Sequence, residues 1–210
     1  MKIGAIYSHL NGMEWLLHHH PNCWEEIEAA IHDVDAEECK TKISKEKTMA
    51  GKLLYSPVDM NRRLKEELHA RHWGNPESFD FLMTDCAILT KEMISERMSI
   101  EQQKQYLIQN GKIADETFHR GKNEADFFKN RISIEVQFGK YAFVQYDIFI
   151  KHAADYMQGR IDLGVEIVPM KKLERGMSSG PTNYERNLHE ILRQGRIFPP
   201  VPLILVGIEQ

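Results

Sequence analysis

The sequence lacks the features that mark secreted and membrane-spanning proteins. Its three cysteines, Cys23, Cys39 and Cys86, are far apart and form no CxxC pair. Any disulfide scheme would leave one of them unpaired, so we expect a protein of the reducing cytoplasm. No apolar run approaches the length of a membrane span. The first residues contain no sustained apolar segment, so no signal peptide is expected.

The chain also lacks an excess of basic residues. It has 27 Lys and Arg against 31 Asp and Glu, a net charge of −4. A strongly basic balance is the usual footprint of nucleic-acid binding, so its absence counts against that function but leaves room for a local basic cleft. The densest basic stretch spans 38–52, where a solvated loop and a phosphate-contacting loop both fit. Its lysines are Lys40, Lys42, Lys45, Lys47 and Lys52.

The composition and element pattern predict one α/β domain over residues 1–210. Of the 210 residues, 42% are hydrophobic and 28% charged, as in ordinary globular proteins. Helical spacing over 58–73, 143–157 and 184–192 alternates with strand patterns over 131–138, 161–168 and 203–208. This order is typical of a mixed central β-sheet flanked by helices.

A polar block over 88–123 interrupts this pattern. It contains the capping box Ser99-Ile-Glu-Gln102 and the helix stop signal Asn110-Gly111, with a Gln-rich helical segment between them. We interpret the block as a helical insertion between two parts of the core. A lid, a dimer arm and a spacer are all compatible with its composition.

The most informative stretch runs from Asp126 to Tyr141. Residues 131–138 alternate strictly, so the apolar side chains point to one face of a strand while Glu135 and Gln137 project side by side from the other. If the chain turns back near Lys129–Asn130, Asp126 can lie beside Glu135, and two converging carboxylates form an oxygen site suited to Mg²⁺. The alternation taken alone is also typical of a solvent-facing sheet surface.

The string Asp-x8-Glu-x-Gln followed by Phe-Gly-Lys-Tyr resembles the active-site hairpin of the BglII/BstYI group of type II restriction endonucleases. That hairpin is a variant of the PD-(D/E)xK nuclease motif, with Gln137 where the superfamily usually has Lys. Ala125 stands where the motif has Pro, which contributes no ligand. Further segments resemble BstYI in the same order along nearly the whole chain: 47–68, 72–81, 165–173, 177–180, 192–196 and 202–208.

The resemblance implies a restriction-endonuclease-like core and Mg²⁺-dependent hydrolysis of double-stranded DNA. It assigns Asp126 and Glu135 as metal ligands with the backbone carbonyl of Val136 nearby, and it places Gln137 in the catalytic group. A neutral amide cannot accept a proton at physiological pH, so Gln137 would orient the water or donate to the phosphate. Asn75 and Glu77 are weaker candidates for assisting the site.

The resemblance also implies contacts to DNA, with Lys140, Ser178 and Ser179 near the bases and Lys47 and Lys52 at phosphates. BstYI cuts R^GATCY and BglII cuts A^GATCT, and the closer resemblance to BstYI favours the degenerate site. A palindromic target implies a homodimer, and a restriction role implies a cognate methyltransferase. Additional candidates for DNA contact are Arg175, Thr182, Asn183 and Arg186.

Other interpretations remain open at this stage. The wide apolar surface predicted for helix 143–157 fits a dimer interface and a well-buried helix equally. A catalytically inactive DNA-binding protein on the same fold is an alternative, although the intact Asp126, Glu135 and Gln137 argue against it. A repair nuclease that shares only the core is another, and Lys140 with Ser178–Ser179 argues against it.

Overall fold

The computed structural model describes residues 1–47, 49–74, 79–84, 96, 98–111, 118–139, 141–178 and 180–210. The chain forms two compact units. The larger unit comprises residues 1–75 and 126–210, and the smaller unit comprises residues 76–125. The smaller unit therefore begins before the insertion predicted over 88–123 and ends after it. Within the described ranges, no helix has both the length and the apolar content needed to cross a membrane.

Strands and helices are interspersed along the chain, as expected for an α/β protein. In chain order the strands are β1 (Lys2–His9), β2 (Lys42–Ile43), β3 (Leu53–Leu54), β4 (Phe79–Thr84), β5 (Phe118–Asn123), β6 (Phe127–Lys129), β7 (Ile132–Val136), β8 (Leu163–Pro169) and β9 (Leu203–Glu209). The helices are α1 (Gly12–His19), α2 (Pro21–His32), α3 (Pro57–Ala70), α4 (Ile100–Gln109), α5 (Tyr141–Tyr146), α6 (His152–Met157), α7 (Lys171–Glu174) and α8 (Tyr184–Arg193). A π-helical segment, Asp147–Lys151, joins α5 to α6, and we call residues 141–157 together the long helix.

A five-stranded mixed sheet forms the centre of the larger unit, in the order β1-β9-β8-β7-β6. The three inner strands β7, β8 and β9 run parallel to one another, while β1 and β6 pair antiparallel at the two edges. Every residue of β8 is buried, which confirms the central position predicted for the apolar segment 161–168. The mixed sheet predicted from the sequence is therefore confirmed.

Helices cover both faces of this sheet. On the first face, α1, α2 and α3 pack their apolar residues against alternate residues of β7, β8 and β9, including Ile134, Val165 and Val206. On the second face, the long helix and α8 contribute Val144, Ile148 and Ile191 to a smaller cluster with β9. Because strand side chains alternate between faces, Ser133 and Glu135 of β7 point toward the second face.

The smaller unit contains a two-stranded sheet and a capped helix. Strands β4 and β5 pair antiparallel from Phe79↔Asn123 to Thr84↔Phe118. The capping box predicted at Ser99 is confirmed, since its side chain accepts from the Gln102 N–H and the Gln102 side chain accepts from the Ser99 N–H. Two reciprocal bonds of this kind satisfy backbone donors that a helix start leaves unpaired.

Candidate active site

The hairpin of β6 and β7 positions the first site residues. Its turn falls on Asn130 and Arg131, which have φ values of 50° and 63°, as in the tight two-residue turns that match the twist of paired strands. The turn thus lies one residue later than predicted. The Arg131 guanidinium donates to both carboxylate oxygens of Asp162, at 2.7 and 2.8 Å, and so ties the turn to the start of β8.

The register of this hairpin brings Asp126 to Glu135. Phe127 pairs with Ile134, so the next residue back, Asp126, lies opposite Glu135 and faces the same way. The Val136 backbone N–H donates to Asp126 Oδ2 at 2.9 Å, which holds the carboxylate at the end of β7. The structure therefore brings together Asp126, Glu135 and the Val136 backbone, the three groups that the sequence singled out.

Glu135 is a buried carboxylate. Its residue is 5% exposed and Ser133 on the same face is 2% exposed, because the long helix covers this face. The alternative of a solvent-facing sheet surface is therefore wrong. Burial raises the pKa of Glu135 to about 8, the nearby ammonium of Lys151 opposes the rise, and the carboxylates of Asp126 and Asp147 add to it. A cation beside Glu135 thus favours its ionised form.

Two charged residues of the long helix complete this buried cluster, and sequence reasoning missed both. Lys151 Nζ lies 2.7 Å from Glu135 Oε1 and 3.7 Å from Asp147 Oδ1. Burial raises the pKa of Asp147 to about 6. The available signal was their spacing, since Asp147 and Lys151 interleave with the buried Val144 and Ile148 on the same side of the helix.

The neighbouring strand adds a second buried pair, His152 and Glu166. The two side chains are 3.6 Å apart and fully buried, and Glu166 is the residue of β8 in register with Glu135. Burial lowers the pKa of His152 to about 3 and raises the pKa of Glu166 well above its ordinary value, and in both residues it acts against the charged form. Gly164 makes this packing possible, because a Cβ there would lie 2.8 Å from His152 Cγ.

A cavity of about 240 Å³ opens at the ends of β6 and β7. It is lined by Asp126, Phe127, Val136 and Gln137 from the hairpin and by Asn61 and Lys65 from α3. The Oδ1 atom of Asn61 is buried and has no hydrogen-bond partner among the described residues. Sequence reasoning did not select Asn61 and Lys65, although their separation by four residues places them on one side of a helix.

Gln137 is oriented by a local hydrogen bond. The Gly139 backbone N–H donates to Gln137 Oε1 at 3.1 Å. Because this bond uses one of the two acceptor positions of the carbonyl oxygen, the amide NH₂ group can donate to an anion while the oxygen can still accept from a water.

The candidate DNA-contacting segments of the larger unit are joined to each other. The Lys42 ammonium donates to Ser178 Oγ at 2.6 Å, and the Tyr55 N–H donates to the Gly176 carbonyl at 2.9 Å. The exposed predicted residues of these segments are Lys47, Lys52 and Arg175, while Ser178 is half-buried. The predictions for Lys140, Ser179, Asn75 and Glu77 lie outside the described residues.

Thr182 and Asn183 make hydrogen bonds within the protein. Both are buried, with exposures of 2% and 8%. Asn183 Oδ1 accepts from the Arg186 N–H and caps α8, while Thr182 Oγ1 accepts from the Asn187 side chain. The structure thus shows both side chains bonded within the protein, and their contact with DNA stays a prediction.

Comparisons with known proteins agree with this architecture. Residues 5–208 match the family described as restriction endonuclease BglII/BglIII. The type II restriction enzyme BglII of Bacillus subtilis is 24% identical over 156 residues, which cover 72% of this chain and 67% of that protein. The crystal structure of BglII complexed with a DNA 16-mer matches with a TM-score of 0.67 at 21% identity, covering 100% of this chain and 79% of that chain. For free BglII the TM-score is 0.56 at 19% identity, over 100% and 80% of the two chains. The structural matches confirm the restriction-endonuclease-like fold, and the family match over nearly the whole sequence shows that this chain belongs to the BglII/BglIII family of type II restriction endonucleases.

Proposed function

We propose that this site-specific DNA endonuclease hydrolyses double-stranded DNA with Mg²⁺ at the palindrome R^GATCY, leaving 5′-GATC overhangs. The proposed hydrolysis is supported by one observation. Asp126, Glu135 and the Val136 backbone lie together at the end of the β6–β7 hairpin. The proposed base sequence rests on the resemblance of the hairpin and the flanking segments to BstYI.

The residues present fit a small, oxygen-preferring cation. The Val136 N–H donates to Asp126 Oδ2 and Lys151 Nζ lies 2.7 Å from Glu135 Oε1, so we assign Asp126 Oδ1 and Glu135 Oε2 as the oxygens that would bind the ion. The cavity beside them contains the unpartnered Oδ1 of Asn61. The described residues contain no cluster of three or more His, Cys, Asp or Glu side chains that could hold a metal. Mg²⁺ suits such a site, because it keeps several waters and needs only one or two carboxylates.

The residues of the candidate site would have separate roles in the reaction. Asp126, Glu135 and the Val136 carbonyl would hold the ion, which when bound supplies charge neutralisation and a more acidic water. The Gln137 amide NH₂ group would donate to a phosphate oxygen, while its carbonyl oxygen accepts from the Gly139 N–H. Lys65 lines the same cavity and would add positive charge near the scissile phosphate.

A symmetric target favours a symmetric protein, and we include a homodimer in the proposal. The long helix carries large apolar side chains that are exposed in the single chain, with exposures of 54% for Phe143, 54% for Ile150 and 71% for Met157. Together with Tyr146 they recur at helical spacing, which is typical of a surface that another protein covers. One subunit would then cut each strand of the palindrome.

The decisive experiment is digestion of unmethylated plasmid DNA with Mg²⁺, followed by sequencing of the ends. We expect discrete fragments with 5′-GATC overhangs flanked by purine and pyrimidine, and no cleavage when EDTA replaces Mg²⁺. Fragments from AGATCT sites alone would replace the degenerate site with the narrower one. Intact DNA that still shifts in a gel would favour the binding-only alternative, and random nicking would contradict site-specific cleavage.

We expect Lys42→Met to weaken binding to a cognate duplex by about fivefold, the effect of losing roughly 1 kcal/mol of hydrogen bonding. Lys42 donates to Ser178, and Ser178 is a candidate base contact. Without the Lys42 ammonium group, the Ser178 side chain should no longer be held in place. Affinity for a duplex without the palindrome should fall less, because that binding depends on charge alone. Fluorescence anisotropy with both duplexes in Ca²⁺ measures the difference.

Lys45→Met is the matched control for this prediction. Lys45 is exposed and lies in the same β2–β3 hairpin, and the change removes the same charge without touching Ser178. It should therefore lower cognate and non-specific affinity by the same factor. If Lys42→Met behaves like this control, Lys42 acts only through its charge.

A further inference from the structure

Lys151 is the buried cation of the candidate active site. Its residue is 8% exposed, and no other lysine or arginine is buried among the side chains that the structure describes. Its Nζ lies 2.7 Å from Glu135 Oε1 and 3.7 Å from Asp147 Oδ1. Burying an ammonium group is costly unless it is paired, so a lysine at this depth is held there by its carboxylates.

Two features of the fold bring Lys151 to Glu135. The π-helical segment Asp147–Lys151 widens the long helix by one residue within a turn and places both charged residues on the face that meets β7. Gly164 lacks the Cβ that would collide with His152, the next residue after Lys151. The helix therefore lies close enough to the sheet for a direct contact between Lys151 and Glu135.

Among the described residues 126–127 and 135–139, the hairpin has no cation at its catalytic end. Gln137 is neutral and stands where the PD-(D/E)xK pattern usually has Lys. The closest positive charge that the structure shows on Glu135 comes instead from a different element, the long helix. The shortest contact of Lys151 with Glu135 is to Oε1, at 2.7 Å, and this contact restrains the direction of the Glu135 carboxylate.

We propose that Lys151 is a positioning residue for cleavage, which holds Glu135 by Oε1 so that Oε2 is presented to the divalent cation. It thereby supplies, from the long helix, the positive charge that the hairpin does not carry at Gln137. This inference rests on the proposed function and deepens it. Lys151 acts through Glu135 and not by contact with DNA, since it is buried between Glu135 and Asp147.

The test compares Lys151→Met and Lys151→Arg with the wild type and with a control, Lys129→Met. Lys129 makes an ion pair of the same length, 2.7 Å to Glu26, away from the site carboxylates. Two quantities are measured: binding of Mn²⁺ to the DNA-free protein, from the loss of the free-ion paramagnetic resonance signal, and the Mg²⁺ concentration that gives half-maximal cleavage. Thermal unfolding without metal shows whether each variant is folded.

We expect Lys151→Met to weaken Mn²⁺ binding and to raise the half-saturating Mg²⁺ concentration by about 10-fold or more, as the loss of a residue that orients a metal ligand does. Lys151→Arg should fall between Met and wild type, because it keeps the charge in a different shape. The apparent KM for DNA should not change. Lys129→Met should lower the unfolding temperature and leave both metal responses unchanged.

Wild-type-like metal responses in Lys151→Met would overturn the inference while leaving the proposed function intact. If wild type itself fails to cleave DNA with Mg²⁺, the proposed function fails, and the Mn²⁺ measurement still decides the role of Lys151. If Lys151→Met does not fold, Lys151→Arg decides the question. A folded Arg variant with unaltered metal responses would contradict the proposal, since its guanidinium cannot reproduce the Nζ contact.

Discussion

Asp126→Asn should reduce the rate of cleavage by about 10³-fold or more while the protein stays folded and still binds DNA. Three orders of magnitude correspond to on the order of 4 kcal/mol of transition-state stabilisation, a reasonable share for a ligand that holds a catalytic cation. The asparagine side-chain oxygen can still accept from the Val136 N–H, as Asp126 Oδ2 does. The change therefore removes charge and leaves the local hydrogen bond in place.

Single-turnover cleavage of a duplex with one RGATCY site measures the chemical step, and anisotropy in Ca²⁺ measures binding separately. Affinity should hold or rise, because a negative charge beside the phosphate has been removed. Asp162→Asn is the control, since this carboxylate pairs with Arg131 at the far end of the same hairpin. It should cost about 1 kcal/mol or less of stability and leave the rate unchanged. An Asp126→Asn enzyme that cuts at the wild-type rate would refute the assigned carboxylate pair.

Gly164→Ala should destabilise the protein by roughly 2–3 kcal/mol, the upper range for inserting one methyl group into a packed core. The new Cβ would lie 2.8 Å from His152 Cγ and 2.9 Å from Nδ1. His152 is fully buried, so its ring cannot swing aside and the long helix must move away from β8. Lys151 precedes His152, so the cleavage rate should fall together with stability.

Urea denaturation followed by circular dichroism gives the change in the free energy of unfolding. Gly74→Ala is a suitable control, because the nearest atom to its added Cβ would be 4.0 Å away. His152→Ala combined with Gly164→Ala should be less destabilised than the sum of the single variants, since removing the ring removes the collision. If the destabilisations of the two single variants add up to that of the double variant, the cost of Gly164→Ala does not come from a collision with His152.

The sequence predicted the parts of the fold that depend on local patterns. Alternation over 131–138 located β7, a continuous apolar run located the central strand β8, and Asp126 fell opposite Glu135 because a tight turn leaves little freedom in register. The proximity of the three candidate ligands could be predicted for the same reason, since all three belong to one hairpin.

The long helix shows why the rest of the candidate site, namely Asp147 and Lys151, was not predictable from the sequence. Its apolar residues Phe143, Ile150 and Met157 are exposed, whereas Asp147 and Lys151 are buried. Charged residues on a helix are normally assigned to solvent, and only a carboxylate on another element makes their burial favourable. The π-helical segment adds one residue and so rotates the following face by about 100°, which no periodicity analysis anticipates.

The position of β9 in the sheet has a consequence for the order in which this protein can mature during synthesis. Strand β9, residues 203–209, lies between β1 and β8 and bonds to both. A ribosome has therefore made the hairpin with Asp126 and Glu135 well before the strand that joins β1 to the rest of the sheet. Until β9 has left the ribosome, the edge of β8 that pairs with β9 is open. The helices on both faces then pack against a sheet that lacks one of its inner strands. A nascent chain thus contains Asp126 and Glu135 before the sheet that aligns them is complete, and we expect the candidate site to form only after β9 has been synthesised.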